Sequence, residues 1–285
     1  MQTTEFTGDV NTNNEIPSQE MLNNMAEISV LDRDGRSIPF KSIYTGPNVA
    51  RRVLVIFIRH FFCGNCQEYL RTLTASITPA TLLHLSTPTF IAVIGCGSPA
   101  LIPMYQELTA CPFPIYADPT KALYDSLGML KTLNMGERPD YQRRGTLLGM
   151  VQSIGQGFKA LKTGKALQAG DMQQVGGEFL FEPVDAATPM HSPSEETRQL
   201  GDAPEREGEE KRVTWCHRMR NTRDHAELPE LREVLGLDGE GESGGDSKRW
   251  MKALRQRKGT GLSARSSGSV EGGRSARASS EKMMR

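Results

Sequence analysis

Two cysteines separated by two residues, Cys63 and Cys66 in FFCGNCQEYL, are the residues of this sequence best suited to covalent chemistry. A thiol is a useful nucleophile only as its thiolate, and an unperturbed cysteine, with a pKa of ~8.5, is mostly protonated at neutral pH. Its surroundings must stabilise the anion. The pair follows the apolar run VLVIFIR and precedes a stretch with Leu70, Leu73 and Ile77 at helical spacing, so it sits where a strand ends and a helix begins. Unpaired backbone N–H groups and the positive end of the helix dipole then favour a thiolate at Cys63. The spacing carries Cys66 round one turn, where it can close a disulfide. Arg59 and His60, just upstream, supply further positive charge for the thiolate. On this reading Cys63 attacks and Cys66 resolves.

The flanking segments alternate strand and helix signals. EISVLDRDGRSIPF reads as two short strands around Asp34-Gly35, a dipeptide suited to a tight hairpin turn. VLVIFIR, from Val53, is continuously apolar and β-branched, as expected of a strand covered on both faces. TFIAVIGC and FPIYAD repeat that signal on either side of a short helical stretch around PALIPMYQEL. DPTKALYDSLG predicts a helix with Asp118 as N-cap, Pro119 at its first position and Gly128 as its stop. Between Tyr141 and Lys165 the residues Leu147, Val151, Ile154, Phe158 and Leu161 predict an amphipathic helix. GEFLFEP and RVTWCHR predict a hairpin, and DHAELPELREVLG a last helix with Asp224 and Glu227 at capping-box spacing. His217 and Arg218, ending the last strand, are candidates to face the pair, Arg218 as a further thiolate stabiliser. A strand, a C-x-x-C and a helix within such an alternation signal a thioredoxin-like redox site.

Outside these elements the chain is polar. Residues 1–25 lack periodicity, the connection at about 183–210 is acidic and contains proline, and 238–285 is rich in Gly, Ser and charge. All three are expected to be disordered around or within one domain spanning 26–237. Lys248 to Arg285 carries eleven basic side chains against two acidic, yet Trp250 is its one aromatic residue, so it reads as a solvated tail. The 34 basic and 34 acidic side chains of the whole chain balance, which removes any global attraction to nucleic acid or anionic membrane. The runs VLVIFI and FIAVIGC are too short to span a bilayer. Five cysteines do not make a secreted disulfide framework, and the amino terminus carries no apolar leader, so a reducing, cytoplasmic setting is expected. No second C-x-x-C or H-x-x-x-H accompanies the pair, and neither metal nor cofactor is expected. Cys96, Cys111 and Cys216 are expected to be inert. GCGSPA, with Asp118 about twenty residues on, fits G-x-G-x-x-A and keeps dinucleotide binding as an alternative, although Pro103 interrupts the helix that would follow.

The blocks RHFFCGNCQEYL, IAVIGCGSP, CPFPIYADPTKALYDSLGM, QQVGGEFLFEP and VTWCHRMRNTRDHAELPELREVLG occur in this order between Glu27 and Leu237. Together they resemble the peroxiredoxin-like 2 family of the alkyl hydroperoxide reductase and thiol-specific antioxidant superfamily. The resemblance implies a thioredoxin-like, peroxiredoxin-type fold, a three-layer α/β/α sandwich on a mixed sheet. It also implies an antioxidant or thiol-redox activity carried by Cys63 and Cys66, a peroxide or disulfide substrate, and a thiol reductant or disulfide-containing protein as partner. Peroxiredoxins place a proline seven and a threonine or serine three residues before the attacking cysteine. Here those positions hold Arg59 and Cys63 before Cys66, and Ile56 and His60 before Cys63. Aligning on the threonine position would make Cys66 the attacking thiol and Cys63 the resolving one. A non-catalytic binding or redox-sensing module on the same fold is the other reading.

Overall fold

A computed structural model of the chain describes residues 14–136, 139, 168–184 and 209–237. The helix expected between Tyr141 and Lys165, nearly all of the 183–210 connection and residues 238–285 lie outside the described residues. The described strands are β1 (Ser29–Leu31), β2 (Ser37–Pro39), β3 (Arg52–Phe57), β4 (Thr89–Gly95), β5 (Ile115–Ala117), β6 (Gly177–Pro183) and β7 (Lys211–Arg218). They form one mixed sheet in the order β2-β1-β5-β4-β3-β6-β7. The strands β3, β4 and β5 run parallel, whereas β6 is antiparallel to β3 and β7 antiparallel to β6.

Seven helices cover the two faces: α1 (Gln19–Met25), α2 (Lys41–Tyr44), α3 (Gly64–Ser76), α4 (Pro79–Leu83), α5 (Ile102–Thr109), α6 (Ala122–Ser126) and α7 (Leu228–Leu235) among the described residues. On one face Leu54, Ile56, Ile91 and Val93 pack against Tyr69, Leu70 and Leu73 of α3, Tyr105 of α5 and Leu231 and Leu235 of α7. On the other, Val53, Val55, Phe57, Phe179 and Phe181 pack against Leu22 and Met25 of α1, Ile43 and Tyr44 of α2, and Leu123 and Tyr124 of α6. The chain is therefore a three-layer α/β/α sandwich. Its β4-β3-β6-β7 core, with one helical crossover from β3 to β4 and a closing helix after β7, has the thioredoxin-type strand order. The unbroken apolar run of β3 is explained by this position, since both of its faces are covered and each large side chain so buried contributes ~1.5–3 kcal/mol. No described helix is long and apolar enough to cross a membrane.

The hairpin turn at Asp34-Gly35 forms as expected, with Gly35 at φ 78° in the left-handed region that glycine tolerates. Three local expectations are corrected. Residues 19–25, read as disordered from their polarity, form α1: Ser18 caps the Met21 N–H at 3.2 Å, and Leu22 and Met25, one turn apart, are each 1% exposed. Two well-placed apolar side chains outweigh a polar average. Asp118 does not cap a helix beginning at Pro119; α6 starts at Ala122, and the buried Asp118 carboxylate accepts from the Leu123 N–H and the Thr120 hydroxyl. Asp224 does not form a capping box with Glu227 either. Its carboxylate accepts from the backbone and guanidinium N–H groups of Arg220, and the N-cap of α7 is Glu227, whose side chain does not cap the helix.

Candidate active site

The strand β3 is prolonged by Ile58, whose N–H donates to the Ile94 carbonyl of β4, and the chain then turns through residues 59–62 into α3. Cys63 is the N-cap of that helix. Its sulfur accepts the Cys66 N–H at 3.3 Å, one of the donors that a helix start leaves unpaired, and the Arg59 Nη1–H at 3.4 Å. Arg59 is buried and held in a fixed pose, because Nε donates to the Gln174 carbonyl and Nη2 to the Met172 carbonyl. Burial acts to raise the Cys63 thiol, but a hydrogen bond from the Cys66 side chain, the charges of Arg59 and His60 and the Cys66 N–H overcome it, and the thiol is held well below its ordinary value. Cys66 is pushed the other way. Burial, its side-chain bond to Cys63 and the charge on Cys63 hold its thiol well above the ordinary range. The two thiols are thus pushed apart, Cys63 toward the thiolate and Cys66 toward the protonated form.

Behind Cys66 lies a buried polar chain. The His225 Nε2 is 3.3 Å from the Cys66 sulfur, and His225 Nδ1 is 2.7 Å from Oε1 of Glu178 on β6. Both His225 and Glu178 are fully buried, and the imidazole stacks on Tyr69 of α3 at 4.2 Å between ring centroids with planes 5° apart. The loop after β7 sets this geometry: His217 Nε2 lies against the Asp224 carbonyl, which fixes the residue next to His225. Glu178 pairs across the sheet with Ile56 of β3 and His217 of β7, so all of these groups share the α3 face. Among the described residues no group of three or more His, Cys, Asp or Glu side chains is arranged to hold a metal ion.

Comparison with known proteins places the chain in a family. A sequence model described as AhpC/TSA antioxidant enzyme matches residues 75–191, a stretch that begins after the cysteine pair. Peroxiredoxin-like 2C of Takifugu rubripes is 30% identical over 169 residues, covering 57% of this chain and 70% of that protein. The human Peroxiredoxin-like 2C is 28% identical over 217 residues, covering 75% of this chain and 79% of its own. The chain belongs to the peroxiredoxin-like 2 family. Solved structures of similar shape include a peroxidoxin of Mycobacterium tuberculosis, with a TM-score of 0.40 and 10% identity over 73% of this chain and 89% of that one. Peroxiredoxin Q of Xanthomonas campestris has a TM-score of 0.35 and 12% identity over 58% of this chain and 77% of that one.

In this peroxiredoxin-like 2 chain Arg59, Cys63 and Cys66 meet as their spacing predicts, and His60 lies close enough for its charge to act on Cys63. The His60 ring is buried, its Nδ1 has no hydrogen-bond partner among the described residues, and burial, with the Arg59 charge, lowers its pKa against the pull of Cys63 and Asp171. Arg218 is a correction. It lies on the opposite face of the sheet, where Nη1 donates to the Glu15 carbonyl, Nε to that of Leu127, and the guanidinium sits 5.3 Å from the Phe179 ring centroid. A register shift between Leu180 and Phe181 sets the alternation in this part of β7, so that Trp215 and His217 face α3 while Cys216 and Arg218 face away.

The dinucleotide reading is corrected as well. A Cβ at Gly95 would stand 2.7 Å from the Phe61 ring, and one at Gly97 would stand 2.5 Å from the Ala169 carbonyl, so these glycines make room for protein rather than for a pyrophosphate. Asp118, which would bind the ribose, is buried in its own turn. His225 and Glu178 are the residues that sequence reasoning missed. The signal present was a carboxylate inside GEFLFEP, since a charge in a buried strand requires a partner.

Proposed function

We propose that the protein is a thiol–disulfide oxidoreductase in which Cys63 attacks and Cys66 resolves. The Cys63 thiolate attacks one sulfur of a substrate disulfide, forming a mixed disulfide and expelling the other sulfur as thiolate. Cys66 then attacks the Cys63 sulfur, the substrate leaves as a second thiolate, and the dithiol has given two electrons to the disulfide. The observation that supports this reading is the Arg59 guanidinium on the Cys63 sulfur at the start of α3, opposite a Cys66 whose thiol keeps its proton. It favours the assignment with Cys63 as nucleophile over the reverse.

The substrate we favour is a disulfide, with peroxide second. A peroxidase must polarise the O–O bond as well as ionise a thiol, and neither cysteine is preceded by the peroxiredoxin proline and threonine. A disulfide needs only a thiolate and access. A thiol reductant would restore the pair, and the five buried free thiols accord with a reducing, cytoplasmic setting. The test is a pair of stopped-flow measurements on the reduced full chain, one with hydrogen peroxide and one with a small disulfide, repeated on Cys63→Ser and Cys66→Ser. Disulfide exchange should dominate and vanish in Cys63→Ser. Peroxide consumption at peroxiredoxin rates would reverse the substrate order, and inertness toward both would favour the binding-module reading.

A further inference from the structure

The site holds a problem that the Cys63 end does not solve. Cys66 must become a thiolate to resolve the mixed disulfide, yet it is fully buried and its thiol is held above the ordinary range. While Cys63 is a thiolate, the Cys66 proton is stabilised by donation to it. Once Cys63 is bonded to the substrate sulfur, that negative charge is gone. Among the described residues, the basic side chain within reach of that proton is the imidazole of His225, at 3.3 Å. Glu178, as a carboxylate, can only accept a hydrogen bond, so the 2.7 Å contact places the imidazole proton on Nδ1 and leaves the Nε2 lone pair facing Cys66.

We propose that His225 is the general base of the resolving step and that Glu178 is the residue that positions it and stabilises its charged form. This rests on the dithiol reading above. In the step, the Cys66 S–H proton passes to His225 Nε2, the Cys66–Cys63 S–S bond forms, the bond from Cys63 to the substrate sulfur breaks, and the substrate leaves as a thiolate that the imidazolium can protonate. Charge is conserved, because the imidazolium formed is matched by the departing thiolate, and the Glu178 carboxylate beside it stabilises the buried cation. Tyr69 keeps the ring in plane from the α3 side. Among the described residues, other titratable or charged groups around the site include Arg59, His60 and Cys63 at the β3–α3 turn, Tyr105 of α5, His217 on β7, and Asp224 with its partner Arg220 in the following loop.

The test separates the two chemical steps by using 5,5′-dithiobis(2-nitrobenzoic acid) on the reduced full chain. Attack by Cys63 releases one coloured thiolate, and resolution by Cys66 releases a second, so the two phases are read in one trace. His225→Gln keeps an acceptor but not a base. Its second phase at neutral pH should slow by ~10²-fold or more, with the first phase within about threefold of wild type. The wild-type second phase should fall in acid, whereas in His225→Gln it should keep rising with alkaline pH as Cys66 ionises. Glu178→Gln, nearly isosteric, should slow the second phase by about tenfold and shift that acid limb. An unchanged second phase and pH profile in His225→Gln overturns the inference and leaves the dithiol reading standing. If His225→Gln fails to fold, an unchanged second phase in Glu178→Gln overturns it instead. Absence of the first phase in wild type overturns both.

Discussion

The strands β3 and β4 are parallel neighbours, and each leads into a turn that carries a buried cysteine, Cys63 after β3 and Cys96 directly after β4. The two thiols are tuned in opposite directions. Cys96 donates its S–H to the Arg59 carbonyl at 2.8 Å, and burial, with the charges of Asp171 and Asp118 adding to it, pushes its pKa up to about 11. Cys63, 3% exposed and so equally buried, receives N–H groups instead and has the guanidinium of the same Arg59 beside it. One arginine thus presents its carbonyl to one sulfur and its charge to the other. Burial by itself raises a thiol, as it does for Cys111 and, despite the Arg218 guanidinium 3.5 Å from its sulfur, for Cys216; at Cys63 the hydrogen bonds and the Arg59 and His60 charges together outweigh it.

The comparison breaks first at Cys63. Cys63→Ser is expected to abolish thiolate release from a small disulfide, while Cys96→Ser retains the wild-type rate, both read by stopped-flow absorbance. Equal losses would mean that the contrast between the two turns has no chemical consequence.

The arginine comes next. Arg59→Met removes the charge from Cys63, and the midpoint of its iodoacetamide alkylation against pH is expected to rise by ~1–3 units, with Cys66→Ser as background so that one thiol reports. Cys96 should stay unalkylated at neutral pH in both proteins. A midpoint that does not move would remove Arg59 from the account.

A smaller effect concerns stability. Cys63 has a folded pKa below its unfolded value of ~8.5, so the anion favours the folded state, fully so above that value, and the gain is lost as pH falls through the folded pKa. Below about pH 8.5 the raised Cys66 is protonated in both states and adds no slope. Reduced wild type should therefore gain melting temperature relative to Cys63→Ser as pH rises from acid toward 8.5, measured by circular dichroism. A constant difference between the two proteins would contradict the assigned sign.

The smallest effect is expected from the tail. We propose that the working unit ends near Leu237, so a chain stopped there should keep the alkylation rates of both Cys63 and Cys96. Deletion through Met25 should instead lower the melting temperature, because it removes the buried Leu22 and Met25 of α1, each worth ~2–5 kcal/mol in a well-packed core. A loss of Cys63 reactivity on removing the tail would extend the site beyond the described residues.

What the sequence alone determined here is local. The apolar run of β3, the two-residue cysteine spacing and the helical periodicity after it place Cys63 at a helix start, because strand, cap and helix depend on neighbouring residues. Arg59 was legible for the same reason, four residues from the sulfur it holds. Only the tertiary structure decided what stands behind Cys66, since His225 is 159 residues away along the chain and Glu178 reaches it through the pairing of β6 with β3. Arg218 was misplaced because a single register irregularity on β7 governs which face its residues occupy, a detail invisible in an alternating pattern. The glycines after β4 imitated a phosphate loop because a glycine reports only that something comes close; that Phe61 and the Ala169 carbonyl fill the space depends on segments brought together by the fold.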